Sequence, residues 1–312
     1  MSLLTLIITL LLEQWRPLST RKYLSGWLSG YAQFFQRQFN ANQQGHGIVA
    51  WLLAVLPLLI SVMMIFWLLC SVHPLLGLAF NVLVLYLTMG FRQFSHYFTD
   101  IHLALRNGDL DEARELLTRW RGVSANKFNA EEIARVTIEE ALRASHRYVF
   151  GVMVWFVLFS TFGLGGAAGA LLYRLGQFLS ARWSAGDDAE PEVFGDFARK
   201  AFYMLEWLPI RLTAMTFAIT GDFEDTIHCW RTQAASWPDP EMGILLASGA
   251  GALGVRLGMP IPQHGLPINR PELGTGDEAD PDIMQSAVGL VWRSVVFWML
   301  LLLLLTLANL LG

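Results

Sequence analysis

The chain has 312 residues, 54% of them hydrophobic and 15% charged, with a mean hydropathy of +0.42. That is too apolar for one or two ordinary soluble domains and fits a membrane protein. The net charge of −4 and pI near 6.0 exclude a general attraction to nucleic acid, because the 22 Lys and Arg are spread along the chain instead of clustered.

Residues 1–12 are apolar but too short to cross about 30 Å of hydrocarbon, which takes about 20 helical residues. With no preceding Lys or Arg and no small-residue cleavage site, they read as a retained anchor or buried helix. Ile48 to Cys70 are uncharged and predict a spanning helix, kinked at Pro57. A turn at Ser71 to Pro74 and an apolar helix from Leu75 to Gly90 complete a hairpin over 48–90, within an N-terminal membrane part of residues 1–90.

Residues 91–147 carry nine basic and nine acidic side chains among apolar positions at helical spacing, which predicts amphipathic helices outside the lipid. Asp109 is expected to cap the helix running to Trp120. Residues 148–183 form the next segment. Its uncharged part, Tyr148 to Tyr173, is centred on GLGGAAGA (163–170), whose glycines permit close packing or a turn, so either a spanning helix or a re-entrant pair of half-helices fits. If all the basic segments face the cytoplasm, this stretch must fold back. A second amphipathic region covers 184–258, beginning with a polar loop over 184–198 and continuing in helices near 197–220 and 222–235. Residues 259–283, rich in Pro and acidic side chains, read as a flexible linker, and 284–312 as a C-terminal transmembrane helix interrupted by Arg293.

Familiar constellations are weak. His96, Asp100 and His102 lack consistent metal spacing and read as a solvated helix face, so no metal site is assigned. GAGALG (249–254) matches GxGxxG without the strand and βαβ context of a dinucleotide site, so helix packing is expected. Neither Cys70 nor Cys229 has a CxxC partner, and no GxSxG elbow is present. Arg211 and Arg256 stand out as lone cations in apolar segments, where a charge is costly unless paired or near water; snorkelling and anion binding are evenly weighted.

The ordered segments NGDLDEARELL (107–117), IARVTIEEAL (133–142), GALLYR (169–174), LEWLPIRLTA (205–214), GDFEDTIHCWR (221–231), WPDPEM (237–242) and GALGVRLG (251–258), with Arg92 and Trp155, resemble the CobD/CbiB and AmpE superfamily of bacterial inner-membrane proteins. The apolar and charged pattern predicts an all-α, polytopic helical membrane fold with amphipathic cytoplasmic helices and a re-entrant helical hairpin, and the resemblance implies a multi-pass protein of the bacterial inner membrane. For the CobD/CbiB branch it implies amide joining of an aminopropanol-type group to a corrinoid acid with ATP and magnesium. For the AmpE branch it implies signalling linked to cell-wall state.

Where synthases of this kind read Ala-Glu-Asn followed by Asp, the chain has Leu142, Arg143, Ala144 and Arg147; where they read Asn-Thr-Leu-Asp it has Gln177, Phe178, Leu179 and Ser180. Replacing acids by arginines reverses the field a metal–nucleotide pair needs. The sequence therefore leads us to expect a non-catalytic binding or signalling component without cofactors. Arg143, Arg147, Arg211, Arg231 and Arg256, with Asp222 and Glu241, would line its anionic-ligand site, and no catalytic residue is assigned. The alternative is a cobalamin-biosynthesis amide ligase of the adenosylcobinamide-phosphate synthase type, using ATP and magnesium, with Asp222, Glu241 and Arg256 at nucleotide or substrate. A transporter is a weaker alternative, resting on the break at 163–169. Membrane lipids and an anionic small molecule are the expected partners, nucleic acid is not, and GLGGAAGA offers a face on which two protomers could join as a homodimer.

Overall fold

The computed structural model describes residues 2–15, 21–39, 44–184, 193–263 and 266–311. It is predominantly helical with a small sheet, and divides into two compact units, each assembled from separated stretches of chain.

The first unit takes Met1–Gly90 and Tyr148–Pro209. It holds α1 (Ser2–Trp15), α2 (Arg21–Phe39), α3 (Gln44–Val72), α4 (Pro74–Thr88), α8 (Gly151–Thr161), α9 (Gly166–Trp183) and α10 (Val193–Thr220) as far as Pro209. α3 continues as helix through Pro57, and the Ser61 hydroxyl donates to the Pro57 carbonyl at 2.7 Å. The chain reverses at His73, whose Nδ1 accepts the Leu75 amide at 3.2 Å, and Pro74 sits in the first turn of α4, where its missing N–H costs nothing.

Tyr148 to Tyr173 folds back. Its first helical part, residues 148–161, is the uncharged end of a longer continuous helix and has 14 residues, about 21 Å at 1.5 Å per residue, short of the hydrocarbon thickness of about 30 Å. Gly163 and Gly165, at φ +71° and +85°, turn the chain into α9. A Cβ on Gly169 would lie 2.1 Å from the Trp155 carbonyl oxygen, and one on Gly166 2.5 Å from the Phe156 ring, so the small residues let α8 and α9 touch backbone to side chain. Gly166 and Gly169 of GLGGAAGA thus pack against α8 of the same chain. Buried Asn81 on α4 accepts the Ala167 amide at 3.1 Å and satisfies one free donor of the α9 N-terminus. A core of Ala32, Ala50, Ala54, Leu59, Ala168, Leu172 and Trp183 joins α2, α3 and α9, with the Trp183 indole donating to the Ala32 carbonyl at 3.1 Å.

The second unit takes Phe91–Arg147 and Ile210–Gly312. It begins with α5 (Phe91–Arg106), α6 (Leu110–Arg121) and α7 (Ala130–Ser145), the last passing into a π-helical turn at His146–Phe150. Asp109 caps α6 as its sequence suggests, accepting the Glu112 amide at 2.9 Å, and Gly122 ends that helix in the left-handed region. Asn129 and Glu132 form a reciprocal capping box on α7. The end of α10, α11 (Phe223–Gln233) and α12 (Pro240–Leu253) follow, then β1 (Val255–Gly258), β2 (Ile261–Gln263), β3 (Leu266–Ile268), β4 (Glu272–Leu273), β5 (Asp277–Glu278) and α13 (Pro281–Leu311). β1 lies between antiparallel β4 and parallel β5, and β2 pairs with β3.

Two expectations change here. Residues 193–198 of the expected polar loop already belong to α10, while 185–192 lie outside the described residues. The expected flexible linker at 259–283 carries four short strands, because backbone pairing supplies order that period-2 patterning over two- and three-residue strands cannot show.

Two helices, Gly45–Val72 and Pro281–Ala308, are long and apolar enough to cross a membrane. Two polar groups of α13 turn inward: the Trp298 indole donates to the Thr216 hydroxyl at 3.1 Å, and Ser294 meets the Thr220 hydroxyl at 3.0 Å.

Candidate functional site

The polar residues of the singled-out segments concentrate in the second unit, around α12, whose small residues let its neighbours approach. A Cβ on Gly249 would lie 2.5 Å from a Leu142 methyl, and one on Gly251 2.6 Å from the Asp225 carbonyl oxygen. GAGALG thus serves helix packing and ends in a left-handed Gly254, φ +62°.

At the N-terminal end of α12, Asp239 caps the helix and Glu241 lies in its first turn, 3% exposed. Both Glu241 oxygens accept from Arg211 of α10, at 2.6 and 3.0 Å. This two-pronged pairing answers the cost that makes a lone arginine in WLPIRLTAM conspicuous. Sequence reasoning picked both residues; the structure makes them partners, so Arg211 is a strut and not a free cation.

Beside β1, Glu139 of α7 is 2% exposed by side chain and accepts from Arg270 at 2.7 and 3.2 Å and from the Gly258 amide at 2.9 Å. Arg270 also donates to the Gly258 and Met259 carbonyls, and its guanidinium lies over the Trp237 ring, 5.6 Å from the centroid. IARVTIEEAL and GALGVRLG therefore meet at one carboxylate, and Trp237 of WPDPEM covers the guanidinium paired with it.

On the same helix Glu140 holds Arg143 at 2.8 Å and lies 3.6 Å from Arg121. Among the described residues Arg135, 7% exposed, makes only long contacts, with the Met259 sulfur and the Pro260 carbonyl, both at 3.4 Å. Burial pushes the guanidinium groups of Arg121 and Arg135 below their ordinary range, opposed chiefly by Glu140 for the first and Glu139 for the second. Glu139, Arg270, Arg135 and Arg121 were missed by sequence reasoning. The lone-cation criterion that selected Arg211 would have found Arg135, a single charge between Ile133 and Ile138.

The C-terminal end of α12 carries the rest. Asp222 caps α11, accepting the Asp225 amide at 2.9 Å, and its own amide reaches the Ala252 carbonyl at 3.3 Å. Arg256 follows on β1, 3.3 Å from Glu278 and 3.6 Å from Glu272. Arg231 is exposed in the last turn of α11, and Arg147 sits in the π-helical turn. The seven expected site residues thus share one unit, but Arg143, Arg211 and Arg256 are each matched by a carboxylate and do not form one unpaired basic surface.

His146 is fully buried beside Thr213, 3.0 Å from its hydroxyl. Burial, reinforced by the charge of Arg147, lowers its pKa to about 3, so the ring is neutral at physiological pH.

The CobD/Cbib protein family matches residues 6–291. A cobalamin biosynthesis protein CobD of Stutzerimonas stutzeri is 36% identical over 271 residues, 87% of this chain and 86% of that protein. The CobD of Chromobacterium violaceum is 37% identical over 225 residues, 72% and 70% of the two chains, and a cobalamin biosynthesis protein CbiB of Salmonella arizonae is 25% identical over 228 residues, 71% and 69%. No solved structure matches.

These names overturn the expectation of a non-catalytic binding or signalling component. The expectation rested on Arg143, Arg147 and Ser180 standing where synthases of this kind read acids, with Leu142, Ala144, Gln177, Phe178 and Leu179 around them, but Arg143 is neutralised by Glu140, with Glu139 buried beside it. The carboxylates of this helix stand about one turn upstream, and the field is not simply reversed. Over residues 6–291, nearly its whole length, the chain belongs to the CobD/CbiB family.

Proposed function

We propose that this chain is a membrane-bound cobalamin-biosynthesis enzyme of the adenosylcobinamide-phosphate synthase type, a ligase that forms an amide on a corrinoid acid. The observation that carries the reading is the 36% identity over 87% of the chain to a cobalamin biosynthesis protein CobD. The arrangement of the motif residues is consistent with it: Glu139–Arg270 and Arg211–Glu241 act as buried struts that fix β1 and α12. Between them they hold the segments that carry Asp222 and Arg256.

The reading brings ATP and magnesium as cofactors. Magnesium usually takes one or two carboxylates and completes its shell with water and phosphate oxygens. Asp222, exposed at the head of α11, suits such a role, and Arg256, part-exposed between two glutamates, suits an anionic group of nucleotide or substrate. Bound nucleotide would supply activation of the acid for attack by an amine. The chain's own residues would place the two reactants and keep water away.

Multi-pass insertion in the bacterial inner membrane, with the amphipathic helices on the cytoplasmic side, is part of the same proposal and draws support from the two long apolar helices. The test is complementation. Expression in a synthase-deficient bacterium should restore growth that depends on cobalamin made from the corrinoid acid, and Asp222→Asn should reduce the rescue. A membrane-localised, full-length chain that gives no rescue sinks the reading.

A further inference from the structure

α2 (Arg21–Phe39) is built differently from the two long apolar helices. At 1.5 Å per residue its 19 residues run about 28 Å, but it is not among the helices apolar enough to cross a membrane. Arg21 and Lys22 stand in its first turn and Arg37 in its last, with no acidic residue between them. A helix with cations at both ends cannot sink either end into hydrocarbon without burying a charge, so beside a bilayer it is held along the boundary and not across it.

Its aromatic side chains form one continuous stripe, at the i, i+4, i+7 and i+8 positions of a helix face. Trp27 stacks on Tyr31 with ring centroids 5.5 Å apart, and Tyr31 meets Phe35 at 5.0 Å. Phe35 in turn meets Phe34 at 5.4 Å and Phe39 at 6.1 Å. One edge of the stripe is docked. The Tyr31 hydroxyl donates to the Ala54 carbonyl of α3 at 2.9 Å, and Tyr31, Phe35 and Phe39 pack on the core that joins α2, α3 and α9. The other edge is bare, with Trp27 60% and Phe34 61% exposed, and Gln33 and Arg37 are exposed on the polar side beyond it. Along α3, on either side of Ala54, Leu52, Leu53 and Leu56 are exposed as well.

We propose that α2 is an interfacial helix seated on anionic phospholipid, with Trp27 and Phe34 inserted at the level of the first acyl carbons. The aromatic edge supplies the apolar part of the binding, since such rings favour the boundary between headgroup and chain. Three cations without an acid supply the electrostatic part, strengthening the hold on a negative surface by about fivefold for each basic residue near it. A bilayer also covers the exposed leucines of α3, which a protein bound to α2 alone would leave bare. The inference rests on the membrane insertion of α3 contained in the proposed function, and it does not depend on which reaction the chain performs.

The test uses the full chain in nanodiscs, with Cys70→Ala and Cys229→Ala removing the native thiols. A polarity-sensitive fluorophore is attached to a single introduced cysteine, Phe34→Cys, Gln33→Cys or Ile60→Cys. Spin-labelled lipids quench it at the fifth or the fourteenth acyl carbon, and iodide quenches it from water. In phosphatidylcholine mixed with phosphatidylglycerol, the Phe34→Cys label should be quenched several-fold more by the shallow lipid than by the deep one. The Gln33→Cys label should respond chiefly to iodide, and Ile60→Cys, on α3, chiefly to the deep lipid. Phosphatidylcholine alone should open the Phe34→Cys label to iodide. Arg21→Gln, Lys22→Gln and Arg37→Gln combined should do the same with phosphatidylglycerol present.

A Phe34→Cys label open to iodide alone, or shielded from iodide and lipid alike, overturns the proposal if the Ile60→Cys label still reports the deep lipid; the shielded result would put protein on that edge. Insertion that ignores both lipid charge and the triple substitution overturns the preference for anionic lipid. An Ile60→Cys label that no lipid quenches overturns membrane insertion itself, and the two failures are thereby told apart.

Discussion

At Glu139 three segments distant in sequence depend on one carboxylate, which makes its removal more damaging than its single charge suggests. Glu139→Gln leaves Arg270 buried without its partner, and breaking a buried pair in this way costs about 3–5 kcal/mol. We expect a large drop in the melting temperature of the detergent-purified protein. Glu115→Gln, which breaks the pair with Arg119 whose side chains are 67% and 58% exposed, should change stability by no more than about 1 kcal/mol. Equal effects of the two substitutions would refute the distinction between strut and surface pair. His146 adds a pH signature. Its folded pKa of about 3 lies below the ordinary 6.5, so between those values the unfolded chain takes up a proton that the folded chain refuses. Stability from this group is therefore full above pH ~6.5 and is lost as pH falls toward 3, at about 1.4 kcal/mol per pH unit. His146→Gln should flatten that slope in a pH series of denaturation curves, and an unchanged slope would show that other groups dominate.

Among the helices, capping and composition were legible while pairing was not. Asp109 could be read as a cap because the amide it accepts lies three residues away, and the apolar stretch at 48–70 could be read as a long helix because lipid and helix geometry fix its length. The fold-back at 162–165 remained one of two options, since glycines allow both a turn and a close crossing. Asn81, one polar residue in an apolar helix, gave no hint that it caps α9, which begins 85 residues later. The site shows the same division: Arg211 and Glu241 were picked one at a time, but nothing local tells that they pair across 30 residues, or that Arg270, in a stretch read as linker, reaches Glu139 across 131. The α8–α9 crossing now yields a prediction. With its prospective Cβ 2.1 Å from the Trp155 carbonyl oxygen, Gly169→Val cannot be accommodated by moving a side chain end, and overpacking of this kind costs about 1–3 kcal/mol. We expect increased protease sensitivity of the first unit, whereas Gly163→Asn, in a left-handed turn with open space around it, should be tolerated. A tolerated Gly169→Val would mean that the two helices pack less closely than described.

For the molecule as a whole, the family assignment and the two long apolar helices fit a membrane protein, and the surface of α3 turns that fit into a test. In the most apolar 18-residue window of that helix only 22% of residues are buried, and the outward positions include Leu53, Leu56, Ile60, Met64 and Trp67. In water such a surface would be an aggregation liability, whereas in lipid it is the solvent-facing side of the protein. The two environments respond oppositely to charge. Ile60, 53% exposed, and Leu103 of α5, 51% exposed, are matched in exposure but lie on helices expected to meet different solvents. Lysine near the centre of a spanning helix costs roughly 2.5–3.5 kcal/mol, while an exposed apolar residue in water is usually replaced within about 0.5 kcal/mol. Ile60→Lys should therefore lower the amount of folded protein recovered from alkali-washed membranes several-fold, and Leu103→Lys should leave it unchanged. If Ile60→Lys is as harmless as Leu103→Lys, α3 does not face lipid, and the hydrophobic surface that it exposes must be covered by protein instead.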